Sequence, residues 1–135
     1  MKGLSREAIL SANDLKKEKV ECPEWGGFVF VKSLTAKERD EWETSLFDTK
    51  RRGKNVEVKM KRENIRARFV ALTVIDESGT LLFSVADIAE LGNKNASAMD
   101  RIFEVAQKLS GLTEEDLDEL EKNLKDTQAD ISSTK

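Results

Sequence analysis

The alternation of apolar and polar positions is clearest in residues 20–31. Val20 and Cys22 alternate with charged neighbours, and the segment 28–31 is rich in aromatic and β-branched residues. A period of two is typical of half-buried strands. Between the two runs lie a proline, which cannot donate to a strand ladder, and a glycine pair, which permits the positive φ of a short turn. We therefore predict a β-hairpin here.

Helix-start residues and apolar repeats of three and four predict the helices that surround this hairpin. Ser5 can cap a short first helix, which ends near Asn13. Thr35, with Glu38 three residues later, forms a capping box for a helix that runs to about Phe47. Residues 61–75 carry a wide apolar stripe and predict a buried helix, although their β-branched end leaves a terminal strand open.

Three later helices have similar signals at their ends. Ser84 is predicted to begin a helix that stops near Gly92, Asn95 one that stops near Gly111, and Thr113 the last one. The last helix carries leucines at seam spacing, which either pack on their own domain or dock on a neighbouring chain. These leucines are Leu117, Leu120 and Leu124.

Together the elements predict one α+β domain, mostly helical, over residues 1–125. In it a small N-terminal β-hairpin packs on a bundle of four or five helices. Residues 48–60 have no helical period and are basic, so we predict a loop there, with at most a short extended piece at Val56–Val58. The segment 126–135 is polar, and we predict a flexible, disordered tail.

Absent residue types narrow the function more than the residues present. The 135 residues include no histidine and one cysteine. This removes the commonest general base and metal ligand, nucleophile–histidine pairs and cysteine-based zinc sites. No glycine-rich phosphate loop and no long apolar run occurs. We expect a protein that is not an enzyme, has no metal or cofactor and does not cross a membrane, although an enzyme that uses carboxylates alone stays open.

The charges are unevenly distributed along the chain. Residues 50–68 hold nine positive side chains against two negative ones, whereas residues 112–135 hold eight acidic side chains against three lysines. Opposite poles can steer one copy onto another or onto a partner. Because no aromatic residues interleave with the basic ones in residues 50–64, we expect no nucleic acid partner, and a solvated loop or a protein contact remain the alternatives.

The sequence locates one of the two tryptophans more clearly than the other. Trp25, in the predicted turn, either packs over its own hairpin or anchors a partner together with Phe28. Trp42 shares a helix face with Leu46 and is predicted to lie in the core.

The segment Val20–Asp40, VECPEWGGFVFVKSLTAKERD, also resembles a known signature, VxxPEWGGxVxVxxLTAxERD. It is similar to the start of the tail assembly chaperones of long-tailed, lambda-like bacteriophages. Later pieces continue the resemblance in order, namely Arg66–Arg68, Leu72–Gly79 with Leu82 and Phe83, and Asp100–Leu109 with Gly111 and Leu112. The resemblance spans roughly residues 7–124 and departs mainly at 50–62 and in the last ten residues.

The resemblance implies a role that composition alone does not give. Such chaperones bind the tape measure protein, keep it soluble, help recruit tail tube subunits and are absent from the finished tail. They act in the cytoplasm of the infected bacterium. In many such phages a ribosomal frameshift yields a longer form whose extra domain engages the tube protein.

For this chain we therefore expect a chaperone that also self-associates into an open or helical oligomer. The alternative is a small nucleic-acid-associated regulatory protein that uses the basic stretch 50–68. The candidate residues for partner binding or self-association are Trp25, Phe28, Arg51, Arg52, Arg62, Leu117, Leu120 and Leu124.

Overall fold

The computed structural model describes residues 2–112, 115–116, 118–119 and 122–123. These form an α+β fold in which the last three short stretches are helical. Short 3₁₀ turns lie at Pro23–Trp25 and Val85–Asp87. The other elements are α1 (Arg6–Ser11), β1 (Lys17–Cys22), β2 (Gly27–Lys32), α2 (Ala36–Ser45), β3 (Phe47–Arg52), β4 (Asn55–Met60), α3 (Ile65–Thr73), β5 (Val74–Ile75), α4 (Ile88–Leu91) and α5 (Ala96–Leu109).

The predicted N-terminal hairpin is confirmed and belongs to a three-stranded antiparallel sheet of order β1-β2-β5. Val20 lies opposite Val29 across the first ladder, and Val31 lies opposite Val74 across the second. Gly26 has φ +76° and closes the turn, as a residue without a Cβ does easily.

The helix predicted over residues 61–75 is shorter in the structure. It begins at Ile65, and its β-branched end forms β5, so the strand alternative for the last residues is confirmed. The prediction of helix at 61–64 was wrong. The edge of β2 offers hydrogen bonds to Val74–Ile75, which explains why these residues leave the helix.

The prediction of a loop over residues 48–60 was wrong, because this segment is a second β-hairpin. The extended piece that was allowed at Val56–Val58 is confirmed and lies within β4. β3 pairs with β4 from Phe47 opposite Met60 to Arg52 opposite Asn55. Phe47 therefore starts a strand and does not end α2. The two-residue turn begins at Gly53, whose φ is +62°. Charged side chains on β3 hid the period-two pattern, since strand preference depends on pairing as well as on composition.

The core lies where the inner face of the sheet meets α2, α3 and α5. The rings of Trp42 and Phe69 stand edge to face with centroids 4.9 Å apart, and those of Phe69 and Phe103 are 5.2 Å apart. Val31 and Cys22 cover this cluster from the sheet and are fully buried. The predicted core position of Trp42 is confirmed, with 1 % of its surface exposed.

The predicted helix starts are confirmed at three helices. The amide N–H of Ala8 donates to Ser5 Oγ at 3.1 Å, and that of Ala98 donates to Asn95 Oδ1 at 3.0 Å. Thr35 and Glu38 form the reciprocal capping box. The predicted cap at Thr113, the leucine seam of the last helix and the tail 126–135 lie on residues outside those described.

Candidate partner-binding surfaces

The outer face of the β1–β2 hairpin presents aromatic rings beside lysines. Phe28 and Phe30 stand edge to face with ring centroids 5.4 Å apart. Lys19 Nζ lies 4.2 Å from the Phe28 centroid, and Lys17 Nζ lies 5.6 Å from that of Phe30. Phe28 is 48 % exposed. These four residues, called here the aromatic–lysine face, offer apolar surface together with positive charge.

Trp25 lies in the turn of the same hairpin, and this turn is fastened to α5. Two nitrogens of the Arg101 guanidinium donate to the two carboxylate oxygens of Glu24, each at 2.9 Å, and one of them also donates to the carbonyl oxygen of Glu21 at 3.1 Å. Hydrogen bonding from Arg101 lowers the pKa of Glu24. Trp25 is 40 % exposed, so a substantial part of its side chain is open to solvent.

The basic stretch 50–68 does not form one continuous surface. Arg51 and Arg52 lie exposed on β3, and Arg62 lies exposed after β4. Arg66 pairs instead with Asp100 across 2.7 Å. Arg68 turns inward, where its guanidinium donates to two backbone carbonyl oxygens. The β3–β4 hairpin therefore carries its cations separately from those of α3.

An apolar groove lies between α2, α3 and residues 81–88, with a volume of about 500 Å³. The buried Trp42 and the partly buried Leu72 line it, together with Phe83 and Ile88. Val85 also lines the groove and is 84 % exposed. Sequence reasoning missed this groove, because its residues come from separate elements and none has an unusual local pattern. We call it the α2–α3 groove.

Two donors with no acceptor belong to residues that line this groove. Trp42 Nε1 and Arg68 Nε are buried and have no hydrogen-bond partner. The other two nitrogens of Arg68 donate to the carbonyl oxygens of Ser45 and Lys61 at 2.6 and 2.8 Å. Burial lowers the pKa of Arg68. Buried donors normally have partners, so these two nitrogens are unusual, but neither has surface open to the groove.

The described residues contain no group of three or more cysteine, aspartate or glutamate side chains placed to hold a metal ion. Within the same residues, no helix combines the length and the apolar character needed to cross a membrane. Of the candidate residues from the sequence, Trp25 and Phe28 share one hairpin and Arg51 and Arg52 share another. Leu117, Leu120 and Leu124 are not among the described residues.

Comparison with known proteins places the chain in a family. A family model described as phage tail assembly chaperone matches residues 5–123. Among solved structures, that of the bacteriophage HK97 tail assembly chaperone is similar, with a TM-score of 0.55 and 14 % identity. The similar region covers 79 % of this chain and 94 % of that one, and at this identity it shows a shared fold. No curated protein sequence matches. The family model covers most of the chain, and the chain therefore belongs to the phage tail assembly chaperone family.

Proposed function

We propose that this protein binds the tape measure protein during phage tail assembly, keeps it soluble and helps to recruit tail tube subunits around it. Membership of the tail assembly chaperone family supports the proposal. The observation that supports it further is the aromatic–lysine face, an exposed surface on a sheet that is buried on its other side. The protein acts by reversible contact and uses no catalytic group or cofactor.

The aromatic–lysine face suits an amphipathic client. The exposed Phe28 ring can cover apolar side chains of a client helix, while Lys17 and Lys19 attract acidic ones beside them. Trp25 extends the apolar surface of the same hairpin. A long helical client presents many such stretches, so many weak contacts add up to firm but reversible coverage.

Several copies of the chain act together on one client. Copies of the chain associate in an open or helical array along the client, with Arg51 and Arg52 of one copy near the acidic residues that follow position 112 in the next. Such exposed charge pairs are weak and screened by salt, which favours later release of the chaperone.

The tube protein is engaged through a longer, frameshifted form of this protein. The chaperone acts in the cytoplasm of the infected bacterium and is absent from the mature virion.

Co-expression with the tape measure protein tests the client contact. We expect the wild-type chain to keep the client soluble and to co-purify with it. Phe28→Asp places a carboxylate in the aromatic–lysine face and is expected to reduce the co-purified client about tenfold. Leu82→Asp is the matched control, because Leu82 is 49 % exposed, close to the 48 % of Phe28, and lies elsewhere. Equal client recovery with both variants would contradict this face, and a client that stays insoluble with wild type would contradict the function.

The alternative, a nucleic-acid-associated regulatory protein, draws on the exposed Arg51 and Arg52 of the β3–β4 hairpin. The inward position of Arg68 and the Arg66–Asp100 pair reduce the charge available to phosphates. An electrophoretic mobility shift with duplex and single-stranded nucleic acid separates the two functions. Tight binding that weakens with salt and is lost in Arg51→Glu would favour the regulatory protein.

A further inference from the structure

The turn of the β1–β2 hairpin has little burial of its own. Cys22, the last residue of β1, is buried, whereas residues 25–28 are all exposed. Within the turn, the Gly26 N–H donates to the carbonyl oxygen of Pro23 at 3.1 Å. A short turn with few buried contacts opens at little cost in free energy. A contact from outside the turn is therefore needed to hold it in one conformation.

Arg101 supplies such a contact from α5. Its guanidinium donates to both carboxylate oxygens of Glu24 at 2.9 Å each and to the carbonyl oxygen of Glu21 at 3.1 Å. A two-point pair between an arginine and a carboxylate fixes orientation as well as distance. The two side chains are 39 % and 24 % exposed, and pairs as exposed as this one add little to global stability. The main effect of Arg101 is therefore on the geometry of the turn.

The two residues that Arg101 holds adjoin the two exposed aromatic side chains of the hairpin. Glu24 directly precedes Trp25 in the turn. Glu21 lies opposite Phe28 across the ladder, and residues directly opposite one another project from the same face of a sheet. Arg101 reaches both from α5, which packs on the buried face of this sheet. It can therefore fix the aromatic side chains from behind.

We propose that Arg101 is a positioning residue for client binding. Through its two partners in the hairpin it keeps Trp25 and Phe28 in one arrangement, ready to receive apolar side chains of the client. The inference rests on the proposed function, since it concerns the hairpin that is proposed to bind the tape measure protein. A surface that is ordered before contact loses less conformational entropy when its partner binds. Arg101 therefore raises the affinity for the client without touching it.

Client recovery tests the positioning role. Arg101→Gln, co-expressed with the tape measure protein, is expected to co-purify with about five times less client than wild type. Arg39→Gln is the matched control, because it breaks another arginine–glutamate pair, with Glu43 on α2, whose side chains are 46 % and 30 % exposed. The control is expected to recover client as wild type does, and circular dichroism checks that both variants are folded. Equal recovery with the two variants would overturn the positioning role.

A double variant separates positioning from direct contact with the client. Glu24→Gln removes the other half of the ion pair and is expected to lower client recovery by a similar factor. If Arg101 acts through Glu24, combining Arg101→Gln with Glu24→Gln costs little more than Arg101→Gln alone, because both changes remove the same interaction. Losses that multiply would show that Arg101 contacts the client by itself and would overturn the inference.

Acrylamide quenching of tryptophan fluorescence measures the turn in the free chain. The chain has two tryptophans, and Trp42 is 1 % exposed, so the quenching reports mainly on Trp25. Arg101→Gln is expected to raise the quenching constant about 1.5-fold or more, because a released turn exposes the indole more often. Arg39→Gln is expected to leave the constant unchanged. A quenching constant that does not rise in Arg101→Gln would overturn the positioning role, whatever the client assay shows.

The wild-type chain separates failure of this inference from failure of the proposed function. If wild type leaves the tape measure protein insoluble, the client function fails, and the positioning role fails with it. If wild type recovers the client and Arg101→Gln recovers as much, the positioning role fails alone.

Discussion

The two β-hairpins of this protein have the same length and different surroundings. Each pairs two six-residue strands in antiparallel register. The β1–β2 hairpin gains a third strand and buries Val20 and Val31 against the core. In the β3–β4 hairpin, Phe47 and Met60 at its base pack on the core. A two-stranded hairpin is marginal by itself, so burial and not the ladder decides how firmly each one is held.

Ion pairs between side chains add to the difference between the two hairpins. Lys32, at the end of β2, forms an ion pair with Glu38 of α2, with 10 % and 15 % of the two side chains exposed. Arg101 of α5 holds Glu24 in the turn. We infer that the β1–β2 hairpin unfolds with the whole domain and that the β3–β4 hairpin opens locally at a lower cost.

The largest effect is expected when a carboxylate replaces a strand valine in each hairpin. Val31 is fully buried, so Val31→Asp leaves an unpaired charge in the core and is expected to cost about 4 kcal/mol in the free energy of unfolding or to prevent folding. Val56 is partly exposed and lies outside the core, so Val56→Asp is expected to cost about 1 kcal/mol or less. Urea denaturation followed by circular dichroism measures both. Similar losses would show that the β3–β4 hairpin belongs to the global folding unit.

A smaller effect is expected at the two turns. Gly26 and Gly53 have φ of +76° and +62°, and a Cβ would meet no atom within 4 Å at either position. Alanine therefore costs about 1 kcal/mol of backbone strain at both sites. We expect Gly26→Ala to lower the global free energy of unfolding by that amount. Gly53→Ala is expected to accelerate amide hydrogen exchange in β3 and β4 and to leave exchange in β1 and β2 unchanged. Faster exchange throughout the chain in Gly53→Ala would remove the distinction.

The smallest effect is expected from the ion pair that fastens the first hairpin. Because the folded-state pKa of Glu24 is lowered, the pair adds stability above the ordinary glutamate pKa of about 4.5 and loses it as the pH falls through the folded value. Arg101→Gln is expected to be less stable than wild type at neutral pH, and the difference is expected to shrink at about pH 3. Asp76, whose pKa is also lowered by its own turn, contributes equally to both proteins and cancels. A difference that is independent of pH would exclude the ion pair as its source.

Local signals predicted much of the fold. Ser5, Thr35 and Asn95 begin helices as predicted, because each can satisfy a free backbone N–H within three residues of itself. The first hairpin was predicted because its alternation coincides with real burial. The second was missed because most of its strand residues are exposed and charged, and its short turn at Gly53 was the one signal that could have revealed it.

The candidate surfaces were less predictable than the elements. Trp25 and Phe28, candidate partner residues from the sequence, are 40 % and 48 % exposed in the structure, whereas the pairing of Phe28 with Lys19 depends on strand register. Grouping Arg68 with the basic stretch was misleading, since α3 directs its guanidinium toward the backbone of Ser45 and Lys61.

The sequence by itself determined the family resemblance, the helix starts, the first hairpin and the absence of histidine chemistry, because each is written in neighbouring residues. Only the tertiary structure decided that Trp42 and Arg68 line a common groove and that no residue of α1 is buried in the part of the chain that the structure describes. The physical reason is that both features depend on contacts between residues far apart in the chain, and local propensity and periodicity do not specify which distant surfaces meet.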